Sequence, residues 1–199
     1  IYYQALDQRG MAVQNMRSVT YLHPGEKQTC LGCHERKSQA PVSVGAVTLQ
    51  ALRRAPSVIQ PDVDGSYPVL YPRLVQGVLD RACVECHAKE PKSPDLSGAA
   101  CGKEGWSKSF AALSKFGWAK HGGNGALKSD DSSRSIPGKV GARASKLLKL
   151  LEKGHYDTKL SPEDLHRITL WLDCNTVFFG AYESTDKQLK GEVVVPTLK

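Results

Sequence analysis

Two short runs, "TCLGCHERK" at residues 29–37 and "RACVECHAK" at residues 81–89, each hold a Cys-x-x-Cys-His motif and dominate what this chain can become. They take four of its six cysteines, leaving Cys101 and Cys174. Zinc sites with paired Cys-x-x-Cys knuckles usually place the pairs about 12–20 residues apart, whereas 49 residues lie between Cys33 and Cys83. A thioredoxin-like dithiol needs a buried strand running into the motif, and neither motif has one. Covalent haem attachment needs two thiols one helical turn apart, to meet the two vinyl groups, and a histidine directly after the second to reach the iron. Both motifs meet that demand, so Cys30, Cys33 and His34, and Cys83, Cys86 and His87, are expected to hold two haem c groups, with His34 and His87 as proximal iron ligands.

Covalent haem attachment takes place outside the cytoplasm, so the chain is expected in the periplasm or an equivalent compartment, where disulfides persist. An even pair of leftover cysteines there favours a Cys101–Cys174 bridge over two free thiols. The first residues carry no basic n-region or apolar h-region, which reads as a mature form or an excised piece. No apolar run approaches the roughly 18–20 residues of a membrane span. The formal charge of +7 is scattered along the chain, with mild concentrations at Arg53–Arg54 and Lys146–Lys153. It does not form a nucleic-acid arm; a basic surface speeds encounter with acidic redox partner proteins.

The pattern along the chain is mainly helical. "IYYQALDQRGMAVQNMRSVTYL" alternates around Gln8-Arg9-Gly10 and reads as a short β-hairpin, followed by a helix of about ten residues around the first motif. A proline-rich stretch, with one helical turn at Leu49–Arg54, serves as a linker or wrapping loop. From Tyr71, Leu74, Val75, Val78 and Leu79 share one helical face and lead straight into the second motif. A short helix is expected near Ser107–Lys115. Leu147, Leu148, Leu150 and Leu151 mark another, stopped by Gly154. "SPEDLHRITLWLDC" has Ser161 as N-cap, Pro162 in the first turn, Asp164 near the capping-box position, and Leu165, Ile168 and Leu172 facing inward. The expected division is a haem 1 segment at 1–66 and a cytochrome c-like helical haem 2 domain at 67–199.

The histidines then sort by position. His155 follows a helix-stopping glycine and precedes the final helix, where cytochrome c domains usually present their axial methionine, so it is the expected sixth ligand of haem 2. His166 falls on the polar side of that helix, a surface role. No histidine or methionine lies between His34 and His87, so a sixth ligand for haem 1 comes from upstream or from the second module. His121, in the glycine-rich "FGWAKHGGNGALK", is placed ahead of His23, its competitor; an open iron is the other alternative. Met11 and Met16 read as core or cover residues.

"AVQNMRSVTYLHPGEKQTCLGCH", "YPVLYPRLVQGVLDRACVECH", "FGWAKHGGNGALK" and "IPGKVGARASKLLKLLEKGHYDTKLSPEDLHRITLWLDCNTVFFGAY" are similar to the middle and C-terminal haem domains of the hydrazine synthase alpha subunit and its relatives in planctomycete-type bacteria. Those proteins usually carry an N-terminal β-propeller, so the resemblance implies the di-haem portion of a larger protein. It also implies a bis-histidine second haem, here His87 with His155, that relays electrons. The family's first haem takes a tyrosine a turn after the motif histidine, which itself turns to zinc. Here that position is Ser38, and the nearest downstream tyrosine is Tyr67. The departure favours an ordinary His34–iron bond and electron transfer over catalysis. The alternative is a redox enzyme with an open haem 1 acting on a small nitrogen or oxygen species.

Overall fold

The computed structural model describes residues 3–15, 21–26, 53–55, 58, 60–117 and 137–197. Cys30, Cys33, His34, Met16 and His121 lie outside the described residues, as does most of the proline-rich stretch. The described part is mainly helical with two small two-stranded antiparallel sheets. In order come β1 (Gln4–Leu6), β2 (Ala12–Asn15), a π-helical turn (Pro72–Gln76), α1 (Gly77–Ala82), α2 (Val84–Lys89), β3 (Ala100–Cys101), β4 (Trp106–Ser107), α3 (Lys108–Leu113), α4 (Gly141–Ala144), α5 (Lys146–Lys153), α6 (Pro162–Asp173) and α7 (Thr185–Leu189).

The apolar face expected before the second motif is the face that is buried: Leu74, Val75, Val78 and Leu79 are all in the core. They meet Ile168, Trp171 and Leu172 of α6, Leu147 and Leu148 of α5, and Phe110 and Leu113 of α3. Tyr71 opens this helix and sits fully buried in an aromatic cluster, its ring centre 5.2 Å from Phe110, 5.0 Å from Trp171 and 5.6 Å from Phe178. Its hydroxyl donates to Ser109 Oγ (2.9 Å), which donates to Gln76 Oε1 (2.5 Å), while Gln76 Nε2 donates to the Leu96 carbonyl (3.1 Å). This chain satisfies polar groups that would otherwise cost free energy in the core, and burial pushes the Tyr71 phenol above its ordinary value.

Helix α6 is capped as its sequence demands. Ser161 Oγ accepts from the Asp164 amide (3.0 Å), Pro162 stands in the first turn, and Glu163 and Asp164 put negative charge at the positive end of the helix. Its polar side clamps the loop before the first core helix. Arg167 donates to both Asp64 oxygens (2.5 and 2.9 Å) and to Glu163 (2.8 Å), and His166 pairs with Asp62 at 2.8 Å. The Arg167 hydrogen bond holds the Asp64 carboxyl below its ordinary value.

The end of α6 receives the N-terminal hairpin. The Asp173 carboxylate is buried and accepts from the Ala12 amide (2.9 Å) in β2 and the Ala142 amide (2.7 Å) in α4. Gln4 Nε2 donates to the Asp173 carbonyl at 2.7 Å. Asp7 pairs with Arg143, and Arg9 with Glu152. Gly141 makes the approach possible: its φ is +57°, and a Cβ there would lie 2.0 Å from Asp173 Oδ1.

Replacing Asp173 with alanine leaves two buried amides without an acceptor, at about 1–3 kcal/mol each. Asp173→Ala is therefore expected to lose about 2–4 kcal/mol in urea unfolding, with amide exchange rising at Ala12 and Ala142. Burial holds the Asp173 carboxyl above its ordinary value. The pH-dependent part of its contribution to stability is thus full below the ordinary carboxylate range and declines as pH rises to the raised value, while the two amide hydrogen bonds remain; the alanine variant lacks that slope.

Candidate functional site

The second Cys-x-x-Cys-His motif begins where α1 gives way to α2. Cys83 stands between the two helices with φ −127°. Its amide donates to the Leu79 carbonyl (2.8 Å), and the His87 amide donates to the Cys83 carbonyl (3.1 Å). The motif therefore winds through one turn, and residues three and four apart on a turn share a face. Cys83, Cys86 and His87 all line one cavity of about 440 Å³.

The walls of that cavity are apolar and come from four parts of the chain: Val75 and Leu79 from the lead-in helix, Leu113 and Phe116 after β4, Leu147 and Leu151 from α5, and Ile168 and Trp171 from α6. Histidine 155 closes the far side. Helix α5 stops at Gly154 (φ +86°), and the next four residues form a tight turn in which the Thr158 amide donates to the His155 carbonyl at 3.1 Å. This puts the His155 ring opposite His87, with ring centres 6.1 Å apart and planes at 45°. The two histidines named from sequence for the second site are thus brought together, both half-buried.

The His87 ring is held by Nδ1, 2.9 Å from the Pro94 carbonyl. A carbonyl only accepts, so Nδ1 carries a proton, and in the neutral tautomer of that kind the lone pair is on Nε2. Sequence reasoning missed this partner, because any residue has a carbonyl. The loop "EPKSPDL" directly after the motif was the only hint of a chain returning towards it.

The thiols differ. Cys83 is half-buried, and burial pushes its thiol up, whereas Cys86 is exposed at the rim. Both face the cavity, where they can bond to a molecule seated against His87. Among the described residues no group of three or more His, Cys, Asp or Glu side chains converges as a bare metal ion requires.

The remaining candidates lie elsewhere. His23 does not line the cavity; it is exposed in a turn where its amide donates to Glu26 Oε2 at 2.8 Å. His166 holds Asp62, in keeping with a surface role. No disulfide joins Cys101 and Cys174, so the expected bridge is absent. Cys101 belongs to the β3–β4 ribbon and Cys174 caps α6.

A family model described as the hydrazine synthase alpha subunit middle domain matches residues 1–35, the stretch that includes the first Cys-x-x-Cys-His motif. No curated protein and no solved structure matches the chain. No helix among the described residues is long and apolar enough to cross a membrane.

The different surroundings of the two motif thiols can be read by chemistry. In the unmodified polypeptide at about pH 8, iodoacetamide is expected to label Cys86 roughly tenfold faster than Cys83, since thiolate fraction and access both set the rate. Peptide mapping after a short pulse measures the ratio, and equal labelling would contradict the burial of Cys83.

Proposed function

We propose that this chain is a di-haem c-type cytochrome module that passes electrons through two covalently bound haems, in an extracytoplasmic compartment. The observation that carries the reading is the facing pair His87 and His155 across an apolar cavity, with Cys83 and Cys86 on the His87 side. Two imidazoles that share one metal atom, each through a nitrogen about 2 Å from it, stand with ring centres about 6 Å apart, and these stand at 6.1 Å. The cavity volume of about 440 Å³ falls in the range of about 300–1,000 Å³ usual for cofactor pockets.

A haem seated there supplies a one-electron couple at its iron. The chain does the rest. Cys83 and Cys86 are the attachment thiols, spaced by one helical turn. Pro94 sets the His87 tautomer through Nδ1, which would leave Nε2 to hold the metal, the usual division of labour for a ligating imidazole. His155 would be the second histidine to hold the iron. Leu79, Leu113, Ile168 and Trp171 exclude water, and a dry, low-dielectric wall is one of the protein's levers on potential. Cys30, Cys33 and His34 repeat the chemistry for a first haem, with His121 ahead of His23 for its sixth position. The described helices then form a cytochrome c-like domain, and redox proteins are the partners. An N-terminal β-propeller would belong to the parent protein.

A second reading is favoured by the family match, which covers the first motif: haem 1 with an open face, acting on a small nitrogen or oxygen species. Ser38 stands where the family's tyrosine would be, and Tyr67, the nearest downstream, has its ring 5.2 Å from the Arg73 guanidinium carbon. With serine at that sequence position, His34 has no phenolate a turn away to compete for iron, which favours the electron carrier.

Protein matured by a cytochrome c assembly system is expected to show two covalent haems by intact mass, and one haem, or zinc instead, would overturn the proposal. His155→Ala should create a high-spin ferric signal. His155→Met should move one redox wave upward, since methionine ligation raises the potential, and leave the other in place. A high-spin haem that binds carbon monoxide in the parent would bring the enzyme reading forward.

A further inference from the structure

The two imidazoles of the second site are held in different ways. His87 has the Pro94 carbonyl on Nδ1, whereas no hydrogen bond to the His155 ring is present among the described residues. A ligating imidazole usually has such a partner to set its rotation. Beside His155, however, stands an aromatic ring: Tyr156, with ring centres 4.8 Å apart and planes at 69°, an edge-to-face contact.

Tyr156 occupies that place at a conformational cost. Its φ is +52°, while Asp157 keeps a negative φ, so it sits at the first central position of the 155–158 turn in a conformation that usually selects glycine. The other described non-glycine residues with positive φ are Asp64, Asn175, Thr176 and Ser184, all short and polar. Tyrosine alone among them is bulky. Burial does not repay the strain, because Tyr156 is 88% exposed. What the left-handed turn does achieve is to lay the phenol ring against His155 at the cavity mouth, where Tyr156 is part of the lining. Strained positions that the surroundings do not explain tend to serve a site.

We infer that Tyr156 is a positioning residue for His155: its ring, set edge-to-face against the imidazole where both line the cavity, fixes the imidazole's rotation, doing by aromatic contact what Pro94 does for His87 by a hydrogen bond. This rests on the reading of His155 as an iron ligand. The ring does the work, and the hydroxyl takes no part. Loss of the ring frees the His155 imidazole to turn on its Cβ–Cγ bond and opens a path for an external ligand.

The test uses the mature di-haem protein, with Tyr156→Gly, which keeps the left-handed backbone, and Tyr156→Phe, which keeps the ring. The angle between axial imidazole planes governs the anisotropy of a low-spin ferric signal, so electron paramagnetic resonance reports on it directly. Tyr156→Gly is expected to shift the g-values of one haem and to speed cyanide binding at that haem about tenfold, in line with other outer-shell losses, with a melting temperature no lower than the parent's. Tyr156→Phe should match the parent in both. Parent g-values and parent cyanide rates in Tyr156→Gly would overturn the inference while a high-spin His155→Ala left the ligand assignment standing. The same changes in Tyr156→Phe would overturn the ring argument. A His155→Ala variant with an unchanged low-spin spectrum would remove the ligand assignment and the inference with it.

Discussion

Contact between Tyr71 and Trp171, 5.0 Å between ring centres, sets how far the helix leading into the second motif stands from the helix that closes the molecule. Both rings are fully buried. At about 150–250 Å² of apolar surface each, and about 25 cal/mol per Å², a ring of this size contributes on the order of 4–6 kcal/mol of burial free energy. Trp171 also lines the cavity, and its Nε1 is satisfied by the Val177 carbonyl at 3.0 Å. The wall of the site and the centre of the core are therefore the same residue. A change that loosened the core would open the cavity as well.

Helix α6 distributes that rigidity. Within seven residues it presents Arg167 to the 62–66 loop, Ile168 and Trp171 to the cavity, and Asp173 to the N-terminal hairpin. The two charged contacts differ in kind. Arg167 and Asp64 form a paired, two-fold hydrogen-bonded bridge at the edge of solvent, each stabilising the other's charged form. Asp173 has backbone amides for its direct partners, and its burial pushes the carboxyl up. Amides satisfy its oxygens without bringing a second charge into the core, so the hairpin is held by direction more than by Coulomb attraction. Residues from the first stretch of the chain, Met11 and Ala12 among them, are buried in the second half as a result.

What could be read in advance followed from chemistry carried by side chains. The caps of α6, the Gly154 stop, the buried face from Leu74 to Leu79 and the hairpin turn all depend on residues with narrow preferences, and all stand where expected. The order glycine, histidine, capped helix was enough to place His155 across from His87. Features built from backbone were not legible. Strands of two residues, such as Ala100–Cys101 and Trp106–Ser107, are too short to show a period. The π-helical turn at Pro72–Gln76 arises where a proline opens a helix already packed on α6. Pro94 acts through its carbonyl, and Cys101 and Cys174 were paired by counting, which carries no distance. The first motif lies outside the described residues, so the reading of it rests on its sequence and on its likeness to the second.

The two sides of the cavity are built to different standards of order. The side bearing the thiols and His87 continues a helix whose Leu74, Val75 and Val78 are fully buried, and its imidazole is tied to Pro94. The facing side is α5 and the turn after it, where Leu150 is 44% exposed and the chain leaves the helix through a glycine with φ +86°. For the proposed haem, covalent attachment would belong on the rigid side, because two bonds would have to form at fixed spacing to a flat, rigid molecule. A single coordinate bond from His155 would make the looser demand on the facing wall, and the Tyr156 ring beside it would meet that demand by setting the rotation of one imidazole. The division of thiols and first histidine on one wall, second histidine on the other, thus follows the mechanical character of the walls as well as the order of residues along the chain.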